Sequence, residues 1–133
     1  MAKCPDLGIA PVTYYAGETM TSSQYHFVEL QSDGYVHLCD SGSTTYFPIG
    51  ILQNAPASGE EAVICMLGCS LLKIDSTGAS YGAWLTTNGS AYGAATAVAS
   101  LACAIALADS NTSASSIIPV FFSPAMGWLT RKV

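Results

Sequence analysis

Charge is what this sequence has least of. Only 10% of its 133 residues are Asp, Glu, Lys or Arg, against roughly 25% in an ordinary soluble domain. Basic residues are the scarcest: Lys3, Lys73, Arg131 and Lys132 stand alone against nine acids, for a net charge of −5. Binding a phosphate backbone needs clustered Lys and Arg, so nucleic acid is not an expected partner. Long hydrophobic runs are missing too. The stretch Ala91 to Ala108 is half alanine, with Thr96 and Ser100 inside it, and is too weakly apolar to enter a bilayer. No membrane association is expected. Met1-Ala2-Lys3-Cys4-Pro5-Asp6 leads into a polar, proline-broken segment and has no secretory pattern. The sequons at Asn88 and Asn111 therefore read as coincidence.

Catalytic signatures are equally scarce. There is no Gly-x-Ser-x-Gly elbow and no His-Glu-x-x-His, and none of Gly78, Gly82, Gly89 or Gly93 leads into a Lys-Ser/Thr pair. His26 and His37 fall on predicted neighbouring strands of one hairpin, with Asp33 and Asp40 close by, and such a pair can shuttle protons or begin a metal site. Strand alternation opposes this: His26 shares a face with Val28 and Leu30, His37 with Tyr35 and Cys39, as rim residues of a hairpin do. Glu60 and Glu61 are adjacent, so they point apart and read as solvated turn residues or as gatekeepers of the apolar run after them. The expectation is a protein that is not an enzyme and has no cofactor and no metal.

Cysteine is present, but not in a framework. Cys4, Cys39, Cys65, Cys69 and Cys103 are odd in number, which argues against disulfides. On a continuous strand Cys65 and Cys69 would share a face about 13 Å apart, too far to bridge. The five read as free thiols filling small apolar sites.

Half of the residues are apolar. With so few charges, the surface must consist of Ser, Thr, Gly, Ala and exposed apolar atoms, a composition suited to life in an assembly. Aromatics support this: Tyr14, Tyr15 and Trp128 are the expected intermolecular contacts, together with Val12, because Tyr and Trp bury large area at low entropic cost.

A chain of this length makes one domain. Residues 1–22 carry Pro5, Pro11, Gly8 and Gly17 with little periodicity and read as an extended N-terminal arm, 23–133 as a single β domain. Within the arm, Val12-Thr13-Tyr14-Tyr15 fits either an edge strand of the same domain or a strand added to a neighbour's sheet. Strands are predicted at Tyr25–Leu30, Tyr35–Cys39, Tyr46–Gln53, Ala62–Ile74 with a bulge or corner at Gly68, Trp84–Thr87 and Ile117–Phe122. Asp33-Gly34 marks a hairpin turn. Pro119 suggests that the last strand is an edge or is bent. Leu101 to Ala108 alternates large and small residues and reads as a strand, while Ala94 to Ala99 is open to one short helical turn. The spacing is that of a small all-β barrel or sandwich.

Three pieces of the chain, Asp33-Gly34-Tyr35-Val36, the connection Ile49-Gly50-Ile51-Leu52-Gln53-Asn54-Ala55-Pro56-Ala57-Ser58-Gly59, and the strand Glu60 to Gly68, resemble the capsid-decoration (cement) proteins of tailed bacteriophages. The resemblance covers Tyr25 to Leu72. It implies an all-β fold, a small β-barrel or β-tulip. It also implies a structural virion protein, made in the host cytoplasm and placed on the outer capsid surface as a homotrimer. There it would stabilise the expanded shell by clamping neighbouring subunits of the major capsid protein. A different class of function is a carbohydrate- or ligand-binding β module on a virion fibre, with Trp84 and Trp128 stacking on sugar rings.

Overall fold

The computed structural model describes residues 12–40, 47–98, 102–110 and 116–123. These form ten strands: β1 (Val12–Tyr15), β2 (Phe27–Leu30), β3 (Val36–Leu38), β4 (Gly50–Leu52), β5 (Glu61–Cys65), β6 (Gly68–Ile74), β7 (Trp84–Thr87), β8 (Gly93–Ala95), β9 (Ala104–Ala106) and β10 (Ser116–Phe122). No helix occurs among the described residues, and the fold is all-β. The first five strands make a sheet in the order β1-β5-β4-β2-β3, and the other five close into a barrel, β10-β6-β8-β7-β9. Every strand pairing is antiparallel except β6 with β8, which meet at Ile74 and Gly93.

The stretch that carries the sequence resemblance builds the turn from β4 to β5. Gly50 is required because a Cβ there would strike the Ile64 side chain and sit 2.6 Å from the Cys65 carbonyl oxygen. Asn54 clamps the two strands, its Nδ2 donating to the Glu61 carbonyl and its Oδ1 accepting from the Val63 N–H. Gln53 ties β4 to β6 by donating to the Ser70 hydroxyl. Gly59 takes φ 84°, a value that suits glycine. Gly50→Ala is expected to cost about 1–3 kcal/mol, since the clash is with backbone as well as side chain. Urea denaturation checks this, and an unchanged midpoint would mean that β4 and β5 are less tightly apposed.

Strands β2 and β4 serve two cores at once. Val28 and Leu52 face a first core with Ala16, Met20, Val36, Ala62 and Ile64. Phe27 and Ile51, one residue away and on the opposite face, enter the barrel core with Leu72, Leu85, Val120 and Phe122. The sheet therefore lies against the barrel, and Phe27 stands 6.0 Å from Phe122, centroid to centroid. Backbone bonds stitch the same junction: Phe27 N–H donates to Ala91 O and Lys73 N–H to Tyr25 O. The two residues whose carbonyls accept these bonds, Tyr25 (φ 67°) and Ala91 (φ 60°), are the non-glycine residues with positive φ among those described. Strain is thus placed where the halves are joined.

Gly68 (φ 108°) is the corner at which the chain leaves the sheet and enters the barrel. The bend alters the expected geometry of Cys65 and Cys69: the Cys65 thiol turns back to within 3.8 Å of the Cys69 carbonyl. Even so, Cys39, Cys65, Cys69 and Cys103 are free; Cys4 lies outside the described residues. Burial pushes the Cys39 thiol well above its usual range, with the nearby Glu29 carboxylate adding to it. Burial likewise raises Cys65 and takes Cys103 up to about 12.

The alanine-rich stretch departs from expectation. Gly93–Ala95 is strand, not the start of a helical turn. Period two holds from Ala104 to Ala108, but it is Ala104, Ala106 and Ala108 that are buried, while Ile105 and Leu107 are only half-buried; Cys103, just before the strand, is buried as well. A barrel of five strands has a narrow interior. The space is already taken by Leu72 and Ile74, whose side chains a Cβ on Gly93 would strike at 2.6 and 2.7 Å. Small residues are what fits beside them. Pro119 is not on an edge either, since β10 pairs with β6 on one side and β9 on the other. Leu107 N–H donates to Pro119 O, but proline returns no N–H, and the β9 ladder stops there.

Candidate interaction surfaces

Val12–Tyr15 is a strand of the domain's own first sheet, and Ala16 and Met20 after it enter the core of that half. Of the two readings of Val12–Tyr15, the edge strand is the one observed, in register with β5 from Val12↔Ile64 to Tyr15↔Glu61. The expected boundary at residue 22 is therefore not visible: Ala16 and Met20 are core residues, and residues 1–11 lie outside the described part. The Ala16 N–H donates to Glu60 O. By the alternation of an antiparallel ladder, the main-chain groups of Thr13 and Tyr15 then point away from β5, and beyond Tyr15 the end of β1 meets β3 through the Ala16–Val36 bridge.

The residues expected at an interface do not share one face. Tyr15 is 56% exposed, and Val12 is exposed at the start of β1. Tyr14, on the same side of β1 as Val12 and opposite to Tyr15, packs against the first core. Trp128 lies outside the described residues. Sequence reasoning passed over Tyr81, Ile117 and Phe121, all exposed. The signal was there for two of them, because Ile117 to Phe122 is apolar at every position, and a strand with only one buried face leaves the other face apolar in water.

The histidines are not a pair. His26 is buried at the junction, its Nδ1 3.2 Å from Gln24 O and its ring edge-on to Tyr92 at 4.8 Å, with Lys73 over the same Tyr92 ring. His37 sits across from Glu29 in the β2–β3 register and lies between two carboxylates, with Nδ1 3.1 Å from Glu18 and Nε2 3.0 Å from Asp33. Only the imidazolium can donate to both. The ring fills the place where a Cβ on Gly17 would be. Gly17 N–H donates to Val36 O, and Ala16 bridges Val36, so His37 pins the end of β1 against β3. Glu29, on the same face, is buried: its Oε1 accepts from Gln31 and its Oε2 has no hydrogen-bond partner. Among the described residues no group of three or more His, Cys, Asp or Glu is arranged to hold a metal ion. Among the described residues no helix is long and apolar enough to cross a membrane.

The two histidines give opposite pH dependences. At His37 burial lowers the pKa, but the Asp33 and Glu18 carboxylates outweigh it and the net shift is upward from 6.5. Its contribution is full below 6.5 and fades as pH rises through the raised folded value. At His26 burial dominates and the pKa falls below 6.5, so its contribution is present above 6.5 and is lost as pH falls through the lowered value. His26→Gln is expected to leave a melting temperature that declines from pH 6 toward pH 8, and His37→Gln one that declines below pH 6.5. Melting curves over that range check the signs, and identical profiles in both variants would refute the assignment.

No protein-family model and no curated protein sequence matches the chain. Among solved structures, the chain is similar to the N base of head fiber gp8.5 of bacteriophage phi29. The TM-score is 0.64 and the sequence identity 15%, over 86% of this chain and 93% of that one. At that identity the likeness is one of fold.

Proposed function

We propose that this chain is a structural, non-catalytic virion protein of a tailed bacteriophage. It decorates the outside of the expanded capsid, clusters there with copies of itself as trimers, and clamps neighbouring major capsid protein subunits. The observation that carries this reading is the fold likeness to the base of a phage head fiber. It coincides with the decoration-like connection at Ile49–Gly59, whose residues form the β4–β5 turn. The few charges and the exposed aromatic residues suit a protein that works through repeated modest contacts, stabilising a shell by avidity rather than through one tight interface.

The test is co-sedimentation with expanded heads stripped of the protein, followed by imaging. Saturable occupancy of symmetry-related outer sites is the expected result. No binding to matched heads would reject the capsid reading. The fold neighbour is itself the base of a fiber, which keeps a second reading, a ligand-binding module of a virion fibre. Saccharide binding on a glycan array, without shell binding, would favour that one.

A further inference from the structure

The outer face of the barrel is apolar along one continuous row. On β10 the inward residues Ile118, Val120 and Phe122 are buried, while Ile117 and Phe121 are 46% and 37% exposed. Phe121 lies opposite Ile105 of β9 and opposite Cys69 of β6. Ile105 in turn lies opposite Trp84 of β7, which is 42% exposed. Trp84, Ile105, Phe121 and Cys69 therefore stand side by side across four strands, within the roughly 5 Å at which cross-strand side chains touch. None carries a charge, and the one Lys or Arg among the described residues, Lys73, is opposite Ile117 at the margin.

Charge is distributed unevenly around this row. Of the eight carboxylates among the described residues, six, Glu18, Glu29, Asp33, Asp40, Glu60 and Glu61, precede Gly68 and lie in the first-sheet half, where Glu29 is buried and Glu18 and Asp33 face His37. On the barrel, Asp75 and Asp109 are held in turns, Asp109 accepting from the Tyr81 N–H. Two copies meeting through their sheets would bring like charges together, whereas two barrels meeting along this row would not. A basic partner would be drawn to the acidic half instead. We infer that the Trp84–Ile105–Phe121 face of the barrel is where a second copy of this chain docks. This deepens the proposed clustering on a shell and rests on that reading.

The size of the face sets the strength. Three strand spacings by four residues give roughly 200 Å² per copy, or roughly 400 Å² for a pair. That is below the standard size of a stable interface. Association is weak in solution and is reinforced where a lattice holds copies together.

The experiment is sedimentation equilibrium of the full chain from about 10 μM to 1 mM, the range in which so small an interface would saturate. Phe121→Glu, Ile117→Glu and Tyr15→Glu are compared with the wild type, and circular dichroism and melting confirm that each is folded. Wild type and Tyr15→Glu are expected to self-associate, and the two barrel variants to do so at least tenfold more weakly. A wild type that stays monomeric throughout, or barrel variants that associate as it does, would overturn the inference. Loss of shell binding in the barrel variants with a monomeric wild type would assign the face to the capsid instead. Failure of the wild type to bind any shell, with self-association intact and sensitive to Phe121→Glu, would reject the capsid reading and leave this face standing.

Discussion

Deletion of residues 1–22 is expected to leave a chain that cannot hold its first sheet, rather than a folded domain lacking a tail. The deletion takes away β1, whose pairing covers β5 from Glu61 to Ile64. It also removes Ala16 and Met20, both buried in the first core. Truncating a buried Met alone costs about 2–5 kcal/mol. Opening the β5 edge and uncovering Ala62 and Ile64 adds to that, so the loss is comparable with the roughly 5–15 kcal/mol by which a domain of this kind is stable. Urea denaturation and limited proteolysis of the purified variant would show it as early unfolding with cleavage in the first sheet. A cooperative transition near the wild-type midpoint would mean that β1 is dispensable. A capsid-binding role for the N-terminal segment must accordingly be tested with a deletion ending at residue 11, which removes none of these groups.

Phe27→Ala is expected to be the most damaging single substitution, at about 4 kcal/mol. Phe27 is fully buried, and it belongs by backbone to the first sheet and by side chain to the barrel core. Its loss would leave a cavity against Phe122 and remove packing from the junction itself, where Tyr25 and Ala91 are held at positive φ. Without that packing the strained junction is left to Ile51 and to the backbone bonds from Phe27 to Ala91 and from Lys73 to Tyr25. Tyr15→Ala, at an exposed position of β1, should change stability by less than about 0.5 kcal/mol. Equilibrium denaturation of the pair measures both. A loss below about 1 kcal/mol for Phe27→Ala would mean that sheet and barrel are held together by the backbone bonds alone.

Much of the β architecture was legible because local chemistry dictates it. Asp33-Gly34 makes a turn wherever two strands flank it. Gly68 marked the corner because an unbroken apolar stretch with one internal glycine is a strand that must bend. Trp84–Thr87 stood out by its residue types and its bounding turn. The alanine-rich region was harder to read. Alanine favours helix by propensity, but Gly93, Ala104 and Ala106 are small because five strands enclose little volume, a constraint imposed by strands that are distant in sequence. Pro119 misled for a related reason, since one missing donor is tolerated inside a barrel where a neighbouring ladder ends.

The interaction surfaces divide along the same line. Residue type marked aromatics as contact residues, but it could not separate Tyr14, which packs inward, from Tyr15, which does not. Only register aligns Trp84, Ile105 and Phe121, which come from three strands far apart in the chain. The histidines changed meaning in the same way. Nothing local predicts that Glu18 will meet His37, since that ion pair forms only when the end of β1 closes on β3.

By itself, then, the sequence determined the strand content, the turns and the scarcity of charge, because each depends on residues within a few positions or on composition. The tertiary structure decided which alanines line a core, which aromatics remain in water and where the N-terminal strand belongs. Those outcomes depend on pairings across the chain, and strand alternation converts a pairing into an inside and an outside only once the partners are known.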